Sequence, residues 1–258
     1  MSGQKKSQIA KKTAERTRVY VAGETPLVEA YVDLCSRHGY GVVFSWNVEP
    51  SSRPSFAPGV KKSESVPKNS SLGIELTNTD LQAKRKNLQK LDAALPATSA
   101  ILSSSVAVSA SEQAGWINGR HRLIGFSALP TLIEKSVVEV APTVFSPKET
   151  MEVVARFFQS IGKEIEIVQD RVGMVMPRIL CQVINESLFA LMEEVAAPQE
   201  IDSAMRLGAN YPMGPIEWAD KVGVRQVYAV LSALQGDLNE DRYRVAPLLK
   251  QLAETSRA

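Results

Sequence analysis

A parallel α/β sheet region followed by an all-helical region is the fold class that this sequence predicts. Three observations lead there. Up to about residue 169, short apolar runs alternate with helix-period segments, the rhythm of successive βαβ units. Beyond Asp170 the pattern is helical throughout. The 258 residues, 44% apolar and 22% charged, have ordinary globular composition and suffice for one large or two modest domains. The expected division is a basic flexible tail over 1–17, an α/β domain over 18–169 and a helical dimerisation domain over 170–258.

The elements follow in order. Arg18–Ala22 (RVYVA) reads as a buried strand and Leu27–His38 as a helix, with Pro26 preset for its first turn. Gly41–Ser45 is a second strand. Residues 46–71 are Ser/Pro-rich without periodicity and read as an exposed loop. Leu72–Leu76 resumes strand character. The segment Thr79–Leu95 is predicted to be a helix, with Leu81, Leu88, Leu91 and Leu95 along one stripe and Lys84, Arg85, Lys86 and Lys90 toward water. Short strands are expected at Ala100–Ser103, Leu123–Phe126, Val137–Val140 and Glu164–Val168, with a helix at Glu149–Ile161 between the last two. In the second half, Arg178–Ala196 carries an apolar stripe too wide for a helix packed on one side, so burial on two sides, the second against a partner subunit, is expected. Further helices are predicted over 199–207, 216–234 and 245–255.

Composition excludes several functions. With 30 Lys+Arg against 28 Asp+Glu the net charge is +2, without the concentrated basic face of a nucleic-acid binder. The two histidines, His38 and His121, leave little for a His-rich metal site. The two cysteines, Cys35 and Cys181, lie in apolar helical stretches and read as buried thiols, not as a disulfide framework. The basic residues of the first 18 positions lack an apolar signal core, and no run reaches the roughly 18 apolar residues of a membrane span. A cytoplasmic protein is expected.

The segment Leu207-Gly-Ala-Asn-Tyr-Pro-Met-Gly-Pro-Ile-Glu-Trp-Ala-Asp220 is followed by Gly223 and by Asp241-Arg-Tyr-Arg-Val-Ala-Pro-Leu-Leu249. Asp170-Arg-Val-Gly-Met-Val-Met-Pro-Arg-Ile-Leu180 precedes it as a linker into the long helix. Together these runs resemble the C-terminal domain of the NAD-dependent 3-hydroxyacyl-CoA dehydrogenases, in particular their 3-hydroxybutyryl-CoA branch, and the similarity continues in order back to Val19. The resemblance implies a Rossmann-like domain, an all-α domain of the 6-phosphogluconate-dehydrogenase-like type, dimers, and a place in fatty acid metabolism. Taken by itself, Tyr211-Pro-Met-Gly-Pro215 is a rigid turn in which Pro215 is set to start a helix.

Fold alone does not give activity; the residues at the family's functional positions decide it. A Rossmann first turn uses three glycines to bring backbone amides to a pyrophosphate. The matching stretch is Gly23-Glu-Thr-Pro-Leu-Val28: Gly23 keeps the first glycine, Thr25 and Val28 replace the others, Pro26 lacks an N–H, and Glu24 places an anion there, expected to complement the helix dipole. The ribose-binding acid after the second strand is replaced at Trp46, with Asn47 a weaker substitute. Lys84 matches a cofactor-contacting lysine, although the residues alone favour a solvated face or an i,i+4 pair with Asp80. Oxidising a 3-hydroxyl needs a base for the hydroxyl proton, a contribution of roughly 10²–10⁴ in rate. The resemblance places that base at Ser127 and its orienting glutamate at Glu139. In Ser104-Ser-Val-Ala-Val108 the substrate-side serine has become Ala107, leaving Ser105 as a cofactor-side candidate, and the linker asparagine has become Pro177. The helical hairpin that grips coenzyme A in relatives has no room in 46–71, where Lys61 and Lys62 remain.

The expectation is a catalytically impaired dimeric relative, assembling with itself or an active paralogue through the helical domain. It uses no cofactor and no metal. The alternative is an active NAD(P)-dependent oxidoreductase on a 3-hydroxyacyl-CoA or small 3-hydroxy acid, with Ser127 and Glu139 relaying a proton through water. A binding module for an acyl-CoA-type ligand is a third reading.

Overall fold

The computed structural model describes residues 17–52 and 54–256, so the expected N-terminal tail lies almost wholly outside the described residues. Eight strands form one sheet: β1 Arg18–Gly23, β2 Gly41–Trp46, β3 Lys61–Lys62, β4 Ser70–Leu76, β5 Ala100–Ser104, β6 Leu123–Phe126, β7 Val137–Pro142 and β8 Glu164–Ile167. Their order is β3-β2-β1-β4-β5-β6-β7-β8. The strands from β3 to β6 are parallel; apart from the exposed two-residue edge strand β3 they are covered on both faces, which explains their near-continuous apolar runs.

Alternation decides which face each residue serves. Val19 and Val21 pack with α1 (Leu27–Arg37) and α4 (Lys148–Ser160) in one core. Tyr20 and Ala22 point the other way, toward α2 (Leu81–Ala94) and α3 (Ala110–Ala114). Beyond the sheet come α5 (Met176–Met192), α6 (Pro198–Gly208), α7 (Pro215–Val222), α8 (Val224–Leu238) and α9 (Pro247–Thr255). A third core lies among α5, α7, α8 and α9, and Val106, Leu129 and Leu132 from the loops at the sheet's carboxyl end also contribute to it. The helical half is thereby seated over the ends of β5 and β6.

The structure corrects the expectation in four places. The sheet is not wholly parallel: β7 runs antiparallel to β6, because the chain returns through residues 127–136 without a crossover helix. The predicted helix 216–234 is two helices, broken at Gly223, whose φ of +91° no continuing helix allows. The loop 46–71 contributes the short edge strand β3, and its described residues form no helix, as its composition predicted. Finally, Lys84 is buried, not solvated. Both cysteines are free and buried as expected.

The PMGP turn has a physical explanation. Asp202 of α6 accepts hydrogen bonds from the Ile216 N–H (2.8 Å) and the Glu217 N–H (3.2 Å), capping α7. Its carboxylate lies where a Cβ on residue 214 would sit, so only glycine fits. The RYR-x-APLL run is held similarly: Asn185 of α5 donates to the Arg244 carbonyl (3.0 Å) and accepts from the Ala246 N–H (2.9 Å).

Candidate active site

In open α/β sheets, ligands bind beyond the carboxyl ends of the strands where the order reverses, here between β1 and β4. Gly23 ends β1 there with φ +149°, and a Cβ on it would come within 2.6 Å of the Leu76 backbone. Its lack of a side chain is therefore needed for strand packing itself.

Glu24 does not cap α1 as expected. Its Oε1 accepts from the Asn78 N–H (2.9 Å) and Gln226 Nε2 (2.5 Å), and its Oε2 from the Thr79 hydroxyl (2.6 Å) and Thr79 N–H (3.3 Å). The carboxylate thus bridges the β4–α2 loop and α8. At the start of α1, Pro26 has no N–H to offer and Val28 is fully buried. A pyrophosphate at this turn would meet an anion and a reduced set of amides, so these residues do not fit the usual dinucleotide grip. The adjoining cleft, about 480 Å³, is lined by Glu24, Glu49, Asp80 and Asp220 against Arg225, and its charge repels phosphate.

The ribose-side positions are also committed elsewhere. Trp46 stacks edge-on with Phe44 and near Phe56, with the Lys62 ammonium 5.5 Å from its ring centroid. Asn47 donates to the Thr77 hydroxyl (2.8 Å) and accepts from Asn87 Nδ2 (2.8 Å). Lys62 also pairs with Glu49, so it is tied to the loop.

Lys84 is 1% exposed and forms an ion pair with the fully buried Glu75, donating also to the Thr77 carbonyl (2.8 Å). Asn87 and Ser103 donate to the same glutamate (3.2 Å each). Asp80, expected as a partner for Lys84, instead caps α2 by accepting from the Gln82 and Ala83 amides. Lys84 therefore braces the ends of β4 and β5 from below the cleft floor.

At the position where the resemblance expects a base, Ser127 is 6% exposed, and its hydroxyl accepts from the Glu139 N–H at 3.3 Å. Among the described residues the Glu139 carboxylate makes no hydrogen bond to that hydroxyl. It accepts from the Val175 N–H (2.9 Å) and Met176 N–H (2.6 Å), at the start of α5. The two residues are brought together, but through backbone. Pro177, in the first turn of α5, follows immediately. His121 is exposed in the 3-10 turn before β6, and the four residues of that strand, roughly 13 Å at about 3.3 Å per residue, separate it from Ser127, so it cannot substitute.

Ser105 is fully buried. It accepts from Gln113 Nε2 (3.0 Å) and donates to the Ser103 carbonyl (3.2 Å), turned away from the cleft. Ala107 does reach a cleft, a space of about 500 Å³ shared with Asn78, Arg225, Tyr228 and Ser232. Sequence reasoning missed Glu75, Asn78 and Gln226, which organise this floor. Asn78 donates to the Ala128 carbonyl (2.9 Å) and to Gln226 Oε1 (2.8 Å) and accepts from the Ser104 hydroxyl (2.6 Å). An acid inside the apolar run LGIEL was the available signal for Glu75; nothing local marked Gln226, 148 residues from Asn78. Among the described residues, no three His, Cys, Asp or Glu side chains are grouped to hold a metal, and no helix is long and apolar enough to cross a membrane.

Comparison with known proteins fits this architecture. Residues 173–258 match the family model of the 3-hydroxyacyl-CoA dehydrogenase C-terminal domain. The chain is 31% identical over 178 residues to a probable 3-hydroxybutyryl-CoA dehydrogenase of Bacillus subtilis, covering 69% of this chain and 62% of that protein. It is 30% identical over 183 residues to the 3-hydroxybutyryl-CoA dehydrogenase of Bradyrhizobium diazoefficiens, covering 71% and 62%. The matched stretch thus spans about three-fifths of the length of these relatives. The crystal structure of (S)-3-hydroxybutyryl-CoA dehydrogenase from Ralstonia eutropha shares the fold, with a TM-score of 0.75 over 93% of this chain and 94% of that one at 23% identity. The helical half therefore matches the C-terminal domain of the 3-hydroxyacyl-CoA dehydrogenase family, and the chain as a whole, Rossmann-like sheet included, has the fold of the 3-hydroxybutyryl-CoA dehydrogenases it is similar to.

Proposed function

We propose that this chain is a non-dehydrogenase member of its family, a dimeric scaffold that associates with itself or with an active relative through the helical half. The observation that carries this reading is the arrangement of Ser127 and Glu139. A hydroxyl is no proton acceptor near neutral pH without a base of its own. The glutamate that would orient such a base has both oxygens engaged by the Val175 and Met176 amides. It acts as an anionic cap for α5, a favourable place for a carboxylate. The poor dinucleotide grip at Glu24 and Pro26 supports the same reading. Support for association comes from the start of α5, where Val175, Met176 and Ile179 are 47%, 45% and 55% exposed, an apolar strip left open by this chain.

Calorimetric titration of NADH into the purified protein, with and without acetoacetyl-CoA, tests the proposal alongside a turnover assay. No heat up to millimolar cofactor and no oxidation of NADH are expected. Micromolar binding with turnover would overturn the scaffold reading and establish an active oxidoreductase of the 3-hydroxybutyryl-CoA type.

A further inference from the structure

Glu24 is bound as a ligand would be bound. Two neutral donors meet each of its oxygens: the Asn78 amide and Gln226 Nε2 on one, the Thr79 hydroxyl and amide on the other. Among the described residues no Lys or Arg pairs with it, so the site is made of dipoles alone, the way backbone nests hold anions. The donors are also fixed independently of Glu24. Gln226 Oε1 accepts from Asn78 Nδ2 (2.8 Å), which turns Gln226 Nε2 toward the carboxylate. Asn78 is in turn held by the Ala128 carbonyl and the Ser104 hydroxyl. Asn78 and Gln226 are 2% and 5% exposed, so both are set within the protein.

We propose that the Asn78 amide, the Thr79 amide and hydroxyl, and Gln226 Nε2 form an anion-binding centre that the chain fills with its own carboxylate. Its ligand class is a small two-oxygen anion, a carboxylate, since the acidic cleft beside the centre disfavours the higher charge of a phosphate. In the intact chain such a ligand enters only by displacing Glu24, and displacement removes the link from β1 to α8. Anion entry and loosening of α8 are therefore one event. This goes beyond the scaffold reading and depends on the Glu24 geometry alone.

The test is chemical rescue in the full chain. Glu24→Ala opens the centre; its melting midpoint is measured in formate, acetate and inorganic phosphate against chloride at equal ionic strength. The variant is expected to melt below wild type and to recover at least about 2 °C, saturably, in one or more of these anions, while wild type does not respond. Rescue by formate or acetate alone would assign carboxylate ligands, and rescue by phosphate would extend the class. Adding Thr79→Val and Gln226→Leu should abolish the recovery. Glu24→Gln keeps the volume but sets an NH₂ against donors, so it should lose midpoint and show no rescue. A wild-type midpoint for Glu24→Gln, or no anion-specific recovery for Glu24→Ala, would overturn the proposal.

Discussion

Burying the Lys84 ammonium with the Glu75 carboxylate desolvates both charges, and only their mutual attraction and the added bonds from Thr77, Asn87 and Ser103 offset that cost. Removing one partner strands the other. Lys84→Met should destabilise the fold by about 3–5 kcal/mol in urea unfolding, far more than loss of a solvated lysine. A change under 1 kcal/mol would show that the pair is not buried as described. Cys35 allows a pH prediction. Burial pushes its thiol up from 9.0 to about 12, and Cys181 is raised by the same cause. The folded state favours the protonated thiol, so this contribution is complete below pH 9 and is lost as pH rises from 9 toward 12. Alkaline titration of stability should fall more steeply in wild type than in Cys35→Ala, and native Cys35 should resist thiol reagents at pH 8. The burial of Lys84 was in fact legible. Position 84 falls on the stripe 81, 84, 88, 91, 95, and reading residue type over position put it in water. The substitution of serine for a base at 127 was equally plain, whereas the donors of Glu24 lie too far apart in sequence to be found there.

Helix ends decide much of the helical half. α7 has only eight residues, and the Asp202 carboxylate both satisfies two of its orphan amides and complements its dipole. Asp202→Ala should cost about 1–2 kcal/mol, with local loss of amide protection at Ile216 and Glu217 in hydrogen exchange. Unchanged protection there would argue against the cap. At α5 the comparable cap is Glu139, and Glu139→Gln should lower stability by about 1.5–3 kcal/mol because a charged acceptor of two bonds is lost. The longer strands and helices were visible in the sequence through their periods and turn residues, while the two-residue β3 and the five-residue α3 are too short to show a period. Two larger features were not visible. A helix-period pattern continues through Gly223 because α7 and α8 both bury apolar residues, so only the glycine marked the break. The direction of β7 depends on the short path from β6, which apolar runs do not report.

For the molecule as a whole, the open face of α5 is an apolar surface where three exposed side chains lie close together in sequence. The helix has 17 residues, roughly 25 Å at 1.5 Å per residue, and its buried side already packs on α7, α8 and α9. The other side begins with Val175, Met176 and Ile179 and borders a groove containing Leu180, Met213 and Trp218. A strip of this kind, with Glu186 and Glu193 toward the far end, supports an apolar contact centred on the first two turns with a polar rim. Specific interfaces bury about 800 Å² per partner, more than this strip alone provides, so the proposed dimer would need the groove as well. Sedimentation of wild type should give a species of twice the chain mass. Ile179→Glu should weaken association at least about tenfold by placing a charge in the contact. Because Ile179 is 55% exposed in the single chain, the variant should keep its circular dichroism. A wild-type protein that is monomeric, alone and mixed with an active relative, would remove the helical half from the scaffold role. An Ile179→Glu dimer of unchanged strength would move the interface off α5.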